Sequence, residues 1–161
     1  MDTPGANALK YGRVERERRF LLRAVPEGKF IRSRRITDRY LRGTRLRLRE
    51  IVDPATTGTV YKLTQKIPAT AATPPLVTTI YLTRAEYDAL AALPADLLTK
   101  TRHSLPPFGI DVFDPPHAGL VLAEAEFDDD AAMRALSVPS GWIEVTDDAR
   151  YAGATLASGQ I

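Results

Sequence analysis

The chain has 161 residues, of which 44% are apolar and 26% charged, a balance that suits one domain with a core of ordinary size. No run of about 18 apolar residues occurs, which excludes a transmembrane helix, and we expect no membrane partner. The first residues lack the apolar stretch of a signal peptide, so we expect a cytoplasmic protein. The chain has no cysteine and only two histidines, which excludes thiolate chemistry and argues against a His-rich zinc site.

The first half of the chain predicts short β-strands that follow a tail. We expect residues 1–10 to be a flexible tail and residues 11–161 to form a single domain. Apolar and charged residues alternate at period two, most clearly where Leu46 and Leu48 alternate with three arginines. The predicted strands are Val14–Leu22, Arg35–Leu41, Arg45–Glu50, Val60–Ile67 and Leu76–Leu82.

The second half predicts helices as well as strands. Thr83 and Glu86 have the spacing of a capping box, which predicts a helix over about Arg84–Leu93 that ends at Pro94. Two further helical segments are expected, from Asp128–Asp130 to about Leu136, and over Asp147–Ala157. The predicted strands are Leu98–Leu105, Ile110–Phe113, Leu120–Phe127 and Trp142–Thr146.

These elements predict an α+β protein that is mainly β. Eight or nine short strands with two or three helices are typical of an antiparallel sandwich or barrel. In a sandwich, the charged strand faces would point to water. Because charged faces recur on strand after strand, we favour an eight-stranded antiparallel β-barrel with a charged interior and a few short outer helices.

Charge is unevenly distributed along the chain, although the net charge is only +2. Residues 1–66 contain 17 Lys and Arg against 7 Asp and Glu, whereas residues 67–161 contain 5 against 13. The two halves could neutralise each other through surface ion pairs. Alternatively, a basic set and an acidic set meet at one site, which would suit an anion and the cations that accompany it.

Two pairs of glutamates lie two residues apart, so each pair points to one face of its strand. The first pair is Glu15 and Glu17. The second, Glu124 and Glu126, lies in an apolar strand, where burial without cationic partners is costly. Asp111 and Glu144 are further acids in apolar strands, and together these six carboxylates would suit Mg²⁺ or Mn²⁺ better than zinc.

Basic residues provide the opposing set of charges. Arginine forks suit phosphate oxygens, and lysines supply point charges. A cavity lined by both signs would fit a polyphosphate–metal complex better than a bare anion. The basic set comprises Arg19, Arg45, Arg47, Arg49, Lys62, Lys66, Lys100 and Arg102.

The motifs that carry these residues resemble, in order along nearly the whole chain, those of the CYTH superfamily, the triphosphate tunnel metalloenzymes. The opening VERERRFLL is similar to the ExExK signature of that family. The later matches are DRYL, LRLR, LTQK, KTR, DVF, GLVLAEAEF, and EVT followed by RY, which run from Asp38 to Tyr151.

The resemblance implies an eight-stranded tunnel that acts on a triphosphate with Mg²⁺ or Mn²⁺, and we favour hydrolysis of inorganic triphosphate. By position, Glu15, Glu17, Glu124 and Glu126 would be metal ligands, with Asp111 and Glu144 as helpers. The phosphates would be bound by Arg19, Arg45, Arg47, Arg49, Lys62, Lys66 and Arg102. Lys100 matches the family lysine that activates the attacking water. A homodimer is common among similar proteins and stays open for this chain.

The chain departs from the family pattern at four positions. Arg19 stands where lysine is usual, which retains the charge but changes its geometry. Thr79 and Tyr81 stand where many members carry alternating glutamates, and Gly109 stands where an acid or another polar residue is common. These departures bear on the number of metal ions and on the substrate class.

Other functions are compatible with the same charges. The chain could bind polyphosphate or a nucleotide without turnover, or act as a thiamine triphosphatase or a class IV adenylate cyclase. The stretch of residues 10–49 contains 15 Lys and Arg and could contact nucleic acid. We do not expect that partner, because these charges alternate along strands and lack interleaved surface aromatics or a nucleic-acid-binding motif.

Overall fold

The computed structural model describes residue 8 and residues 10–159, so the predicted tail at residues 1–10 lies almost wholly outside the described residues. The described part contains ten strands, three α-helices and one 3₁₀ helix at Ala149–Tyr151. The strands are β1 Arg13–Val14, β2 Glu17–Leu22, β3 Arg32–Leu41, β4 Leu46–Val52, β5 Thr59–Ile67, β6 Leu76–Leu82, β7 Ala95–Leu105, β8 Phe108–Phe113, β9 Val121–Glu126 and β10 Ile143–Glu144. The helices are α1 Arg84–Ala91, α2 Asp130–Ala135 and α3 Gly153–Ser158.

The prediction of an α+β, mainly β protein is confirmed, and each predicted strand corresponds to an observed one within a few residues. The capping box at α1 is also confirmed. Thr83 accepts a hydrogen bond from the backbone of Glu86, whose carboxylate accepts one from the backbone of Thr83. The C-terminal helical segment is shorter than expected, because Ala149–Tyr151 and α3 are separate turns of helix.

The prediction of a closed eight-stranded barrel is wrong. The ten strands form one antiparallel sheet in the order β1-β6-β5-β4-β3-β7-β8-β9-β2-β10, and its hydrogen-bonded ladder does not close. The predicted first strand divides at residues 15 and 16, so that β1 pairs with β6 whereas β2 pairs with β9. The other edge of β2 pairs with β10. A closed barrel would need that edge of β2 to pair with β6.

One face of the sheet carries the larger part of the apolar core. Side chains of β2, β8 and β9 that point away from the charged face pack together, and Phe20, Ile110 and Ala123 are fully buried there. Trp142 covers this cluster, and its ring lies 4.9 Å from that of Phe108. Burial of these side chains is the main source of stability for this part of the sheet.

The opposite face is divided between an apolar end and a charged end. Helix α3 packs its buried Leu156 against Leu98, Phe113 and Leu122, which lie on the same strands as charged residues further along. Strand alternation alone does not separate these apolar residues from the charged ones, because both share one parity. The apolar end closes off one side of the concave face and leaves the charged side open to a cavity.

Replacing Phe20 with alanine tests the role of the outer core. We expect the free energy of unfolding to fall by about 3–5 kcal/mol, because Phe20 is fully buried and contacts the rings of Phe108 and Trp142. Urea denaturation measures this change. The matched control is Ile80→Ala, at a side chain that is 53% exposed, which should change stability by less than about 0.5 kcal/mol. Equal losses in both variants would contradict the assignment.

Candidate functional site

A polar cavity of about 480 Å³ opens on the charged face of the sheet. Residues from eight of the ten strands contribute to its lining, which means that the sheet curves around it. Seven of the eight predicted basic residues line this cavity, so side chains that are far apart in sequence converge on one space. These residues are Arg19, Arg47, Arg49, Lys62, Lys66, Lys100 and Arg102.

Arg45 is the predicted basic residue that does not line the cavity. It precedes β4, and its backbone carbonyl accepts a hydrogen bond from the backbone of Lys66. Its parity matches that of Arg47 and Arg49, but it lies one residue outside the strand. Its predicted contact with phosphate remains a prediction.

Asp38 on β3 contacts two of the arginines that line the cavity but does not line it itself. Its carboxylate is fully buried and accepts hydrogen bonds of 2.6 and 2.8 Å from Nε and Nη2 of Arg49. Arg47 approaches the same carboxylate, with Nε at 3.8 Å. Burial opposes the charge of Asp38, but Arg49, Arg47 and Lys100 outweigh that effect and hold its pKa below the ordinary value.

Asp111 on β8 forms ion pairs with two other cations that line the cavity. It is fully buried and accepts hydrogen bonds of 2.5 Å from Lys100 and of 2.6 Å from both Nε and Nη2 of Arg102. Burial lowers the pKa of Lys100, Arg102 lowers it further, and Asp111 opposes that change. Asp111 therefore lies beneath the cavity wall and orients the two cations that line it.

Glu124 connects this cluster to the next arginine. Arg102 donates to it at 2.5 Å and Arg19 at 3.1 Å. Burial disfavours its charge, but Arg102, Lys100 and Arg19 hold the pKa of Glu124 well below its usual range. The carboxylate is therefore ionised in the folded protein at neutral pH.

The absence of a side chain at Gly109 makes room for Arg102. Gly109 lies opposite Glu124 on the neighbouring strand, and a Cβ at this position would lie 3.1 Å from Cδ and Nε of Arg102. Arg102 therefore lies across the backbone of Gly109 on its way to Asp111 and Glu124. This close approach is a physical reason for glycine at a position where the resemblance implies an acid or another polar residue.

Glu17 is a wall carboxylate whose pKa is raised. It accepts a hydrogen bond of 2.5 Å from Arg19, and only 16% of its side chain is exposed. Burial raises its pKa to about 7, Glu124 adds to this rise, and Arg19 and Lys66 only partly offset it. Burial, more than repulsion by Glu124, is therefore the reason that the ionised form of Glu17 is disfavoured.

Glu15 and Glu126, which are also predicted metal ligands, line the cavity as well. Glu15 accepts a hydrogen bond of 2.5 Å from Lys66. Glu126 lies opposite Glu17 in the register of β2 and β9, is 66% exposed, and has Arg13 at 3.9 Å. Glu15, Glu17, Glu124 and Glu126 therefore occupy one wall of the cavity.

The two predicted helper acids lie elsewhere. Asp111 is beneath the wall, where Lys100 and Arg102 occupy both of its oxygens. Glu144 is on the outer face of β10, where it accepts hydrogen bonds of 2.8 and 2.9 Å from Arg18. The hydrogen bond from Arg18 lowers the pKa of Glu144. Neither carboxylate lines the cavity.

This structure resembles solved structures of known proteins. A structure of the inorganic triphosphatase NE1496 shares 28% sequence identity, covers 89% of this chain and 93% of its own, and superposes with a TM-score of 0.57. Another structure of NE1496 gives 29% identity, covers 89% and 97% of the two chains, and has a TM-score of 0.58. The chain has a CYTH-like fold.

A more distant structure shows the same fold. The PH1819 protein from Pyrococcus horikoshii OT3 shares 15% identity, with 73% of this chain and 82% of that one covered and a TM-score of 0.51. No protein-family model matches the chain, and no curated protein sequence matches it. Within the described residues, no helix has the length and apolar character needed to cross a membrane.

The four wall glutamates are the residues predicted to bind a metal ion. Their carboxylate oxygens are the ligands that Mg²⁺ and Mn²⁺ prefer. Within the described part of the chain, no three Asp, Glu, His or Cys side chains converge closely enough to form a metal site. Arg19, Arg102 and Lys66 hold three of the four glutamates instead. The donor chemistry therefore fits a divalent cation, while the ion pairs keep the donors apart.

Sequence reasoning missed the role of Asp38, and it named Thr79 and Tyr81 only as departures from the family pattern. Asp38 was identified only as part of a family motif, although an acid at the parity of buried strand positions was an available signal. Thr64 and Thr79 line the cavity and share a hydrogen bond of 2.9 Å, and Tyr81 packs its ring 5.0 Å from the ammonium of Lys62. Thr64, Thr79 and Tyr81 therefore supply no carboxylate to the cavity.

The Glu17→Gln variant should become more stable relative to the wild type as the pH rises. The pKa of Glu17 is about 7 in the folded state against an ordinary value of 4.5, so the folded state binds more protons between these values. Wild-type stability therefore falls as the pH rises from about 4.5 through about 7, and glutamine removes this loss. We expect the melting temperature of the variant, minus that of the wild type, to increase between about pH 5 and about pH 8 in EDTA.

The control for this measurement is Glu27→Gln, at an exposed position that does not line the cavity. Its melting-temperature difference from the wild type should not change across the same range. If the melting-temperature difference between Glu17→Gln and the wild type stays constant or decreases with pH, the pKa of Glu17 is not raised in the folded protein.

Proposed function

We propose that this chain hydrolyses a triphosphate in a reaction that depends on Mg²⁺ or Mn²⁺, and that inorganic triphosphate is its preferred substrate. The observation that carries this proposal is the convergence of nine Lys and Arg residues on one cavity, seven of which the sequence predicted. Arginine forks and lysine ammonium groups bind phosphate oxygens through charge-assisted hydrogen bonds. The similarity to the inorganic triphosphatase NE1496 supports the same substrate class.

The cations are held in a manner that suits a chain of phosphoryl groups. Asp38 holds Arg49 by two hydrogen bonds and lies 3.8 Å from Arg47. Asp111 holds Lys100 and Arg102 by hydrogen bonds, and neither aspartate lines the cavity. Pre-oriented donors lose little entropy when the ligand binds, and they stabilise charge that develops during phosphoryl transfer. Glu17, Glu124 and Glu15, by contrast, line the cavity, where their partners are Arg19, Arg102 and Lys66.

We propose that Glu15, Glu17, Glu124 and Glu126 would hold the divalent cation. Such an ion, when bound, supplies neutralisation of phosphate oxygens and so favours attack on phosphorus. Arg19, Arg102 and Lys66 would then bind phosphate oxygens in place of their present carboxylate partners. The metal ion would thus pair with the wall glutamates and the phosphates with the wall cations, whereas in the free protein these glutamates and cations pair with each other.

Lys100 is the candidate general base. Burial lowers its pKa, which favours the neutral amine that a base requires. The water oxygen would form a bond to the terminal phosphorus while the bond from that phosphorus to its bridging oxygen breaks, and the water proton would pass to Lys100. The products are orthophosphate and pyrophosphate, and the departing bridging oxygen becomes a terminal oxygen of pyrophosphate.

Binding without turnover is the second candidate function. The observation that favours it is the lack of a group of three metal-ligating side chains among the described residues. Thr64, Thr79 and Tyr81 also supply no carboxylate to a second cation. A protein of this kind would sense or carry a polyphosphate or a nucleotide.

Phosphate release from a panel of substrates separates these functions. The panel contains inorganic triphosphate, longer polyphosphate, thiamine triphosphate and ATP, each with Mg²⁺, with Mn²⁺ or with EDTA. We expect the fastest release from inorganic triphosphate and none in EDTA. The ATP reactions are also assayed for cyclic AMP, which would instead indicate a cyclase. Tight binding of one anion without release from any substrate would leave the binding function.

The Lys100→Ala variant tests the proposed base. We expect kcat to fall by about 10²–10⁴, because a positioned base contributes that much, while the Kd for triphosphate changes by less than about tenfold. Steady-state kinetics and calorimetry measure the two quantities. The matched control is Lys29→Ala, at an exposed position outside the cavity, which should leave both unchanged. Full turnover in folded Lys100→Ala would eliminate the base role.

A further inference from the structure

Asp38 carries a charge that the proposed reaction does not use directly. Its side chain is fully buried and does not line the cavity, so a ligand in the cavity cannot touch it. It lies opposite Arg49 in the register of β3 and β4, and Tyr40 lies opposite Arg47 one step along. The carboxylate is therefore positioned beneath two side chains that do line the cavity.

The contacts of the two arginines differ. Arg49 directs Nε and Nη2 to the two oxygens of Asp38, which fixes the plane of its guanidinium group. Arg47 has no such fork, because its Nε lies 3.8 Å from Asp38 and, although buried, has no hydrogen-bond partner among the described residues. Asp38 thus orients Arg49 by hydrogen bonds and restrains Arg47 by charge.

The position of Asp38 distinguishes it from the acids in the wall. Glu17 and Glu124 line the cavity, so a phosphate that binds Arg19 or Arg102 must replace them. A phosphate that binds Arg49 need not replace Asp38, since Asp38 is fully buried and does not line the cavity, whereas Arg49 does. The Asp38–Arg49 pair can therefore persist in the complex.

We infer that Asp38 is a positioning residue that holds Arg47 and Arg49 in the arrangement that distinguishes a triphosphate from a shorter anion. The inference rests on the proposed function only in taking triphosphate as the ligand. Anion affinity as such follows from the summed charge of the cavity, whereas preference for one chain length requires cations at fixed separations. Asp38 contributes to the second property and slightly opposes the first, because it carries negative charge.

The Asp38→Asn variant separates these two properties. The amide keeps the shape of the carboxylate but removes its charge, and one of its two polar atoms becomes a donor that cannot accept from Arg49. The cavity then gains positive charge, so shorter anions should bind at least as tightly as before. Triphosphate should lose the benefit of oriented arginines, and its advantage over pyrophosphate should fall.

The experiment is calorimetric titration of the full chain with inorganic triphosphate and with pyrophosphate, both in EDTA, so that no metal-dependent turnover occurs. We expect the ratio of the pyrophosphate Kd to the triphosphate Kd to fall about tenfold in Asp38→Asn, an effect of the size that misplaced binding groups produce. The matched control is Asp53→Asn, since Asp53 is also buried and paired with an arginine, but that arginine, Arg32, does not line the cavity. Its ratio should stay within about twofold of the wild type.

An unchanged ratio in folded Asp38→Asn would overturn the inference, and so would an equal fall in Asp53→Asn, which would indicate a general structural effect. If Asp38→Asn does not fold, Asp38→Glu replaces it. That variant keeps the charge but moves the carboxylate by one methylene, so the same fall in the ratio is expected and an unchanged ratio contradicts the inference. Phosphate release by the wild type with Mg²⁺ is measured separately, because its absence would defeat the proposed reaction without affecting the ratio.

Discussion

The charged face of this protein depends on two buried aspartates that hold cations from behind. Asp38 serves Arg49 and Arg47, and Asp111 serves Lys100 and Arg102. An arginine or lysine side chain inside a folded domain is costly unless a carboxylate compensates it, and removal of one partner leaves an uncompensated charge. These two carboxylates allow four cations to face one cavity within a domain of ordinary size.

Other acids pair with cations from within the cavity wall itself. Glu15, Glu17 and Glu124 pair with Lys66, Arg19 and Arg102, but they line the cavity and are partly exposed. The acids and the cations of the wall therefore pair with each other in the free protein, and burial raises the pKa of Glu17. A polyphosphate together with a divalent cation would satisfy both sets at once, and neither would do so alone.

The open sheet also explains how the site and the core coexist on one set of strands. The outer face of β2, β8 and β9 forms an apolar cluster, and the inner face of the same strands carries Arg19, Asp111 and Glu124. Helix α3 covers the apolar end of the inner face through Leu156. The cavity is therefore confined to the part of the concave face that α3 leaves uncovered.

The sequence by itself determined the strands, their charged parity and the members of the basic set. Period-two alternation is a local property, because successive side chains of a strand point to opposite faces, and seven of the eight predicted cations line one cavity for that reason. Only the tertiary structure decided strand closure and the partner of each charge. Contacts between residues distant in sequence decide three features: the division of the first strand at residues 15 and 16, the pairing of β10 with β2, and the burial of Asp38 and Asp111. Alternation places Asp111 and Glu124 on the same face, but the depth of each side chain, and so its role as a support or as a wall residue, depends on the neighbouring strands.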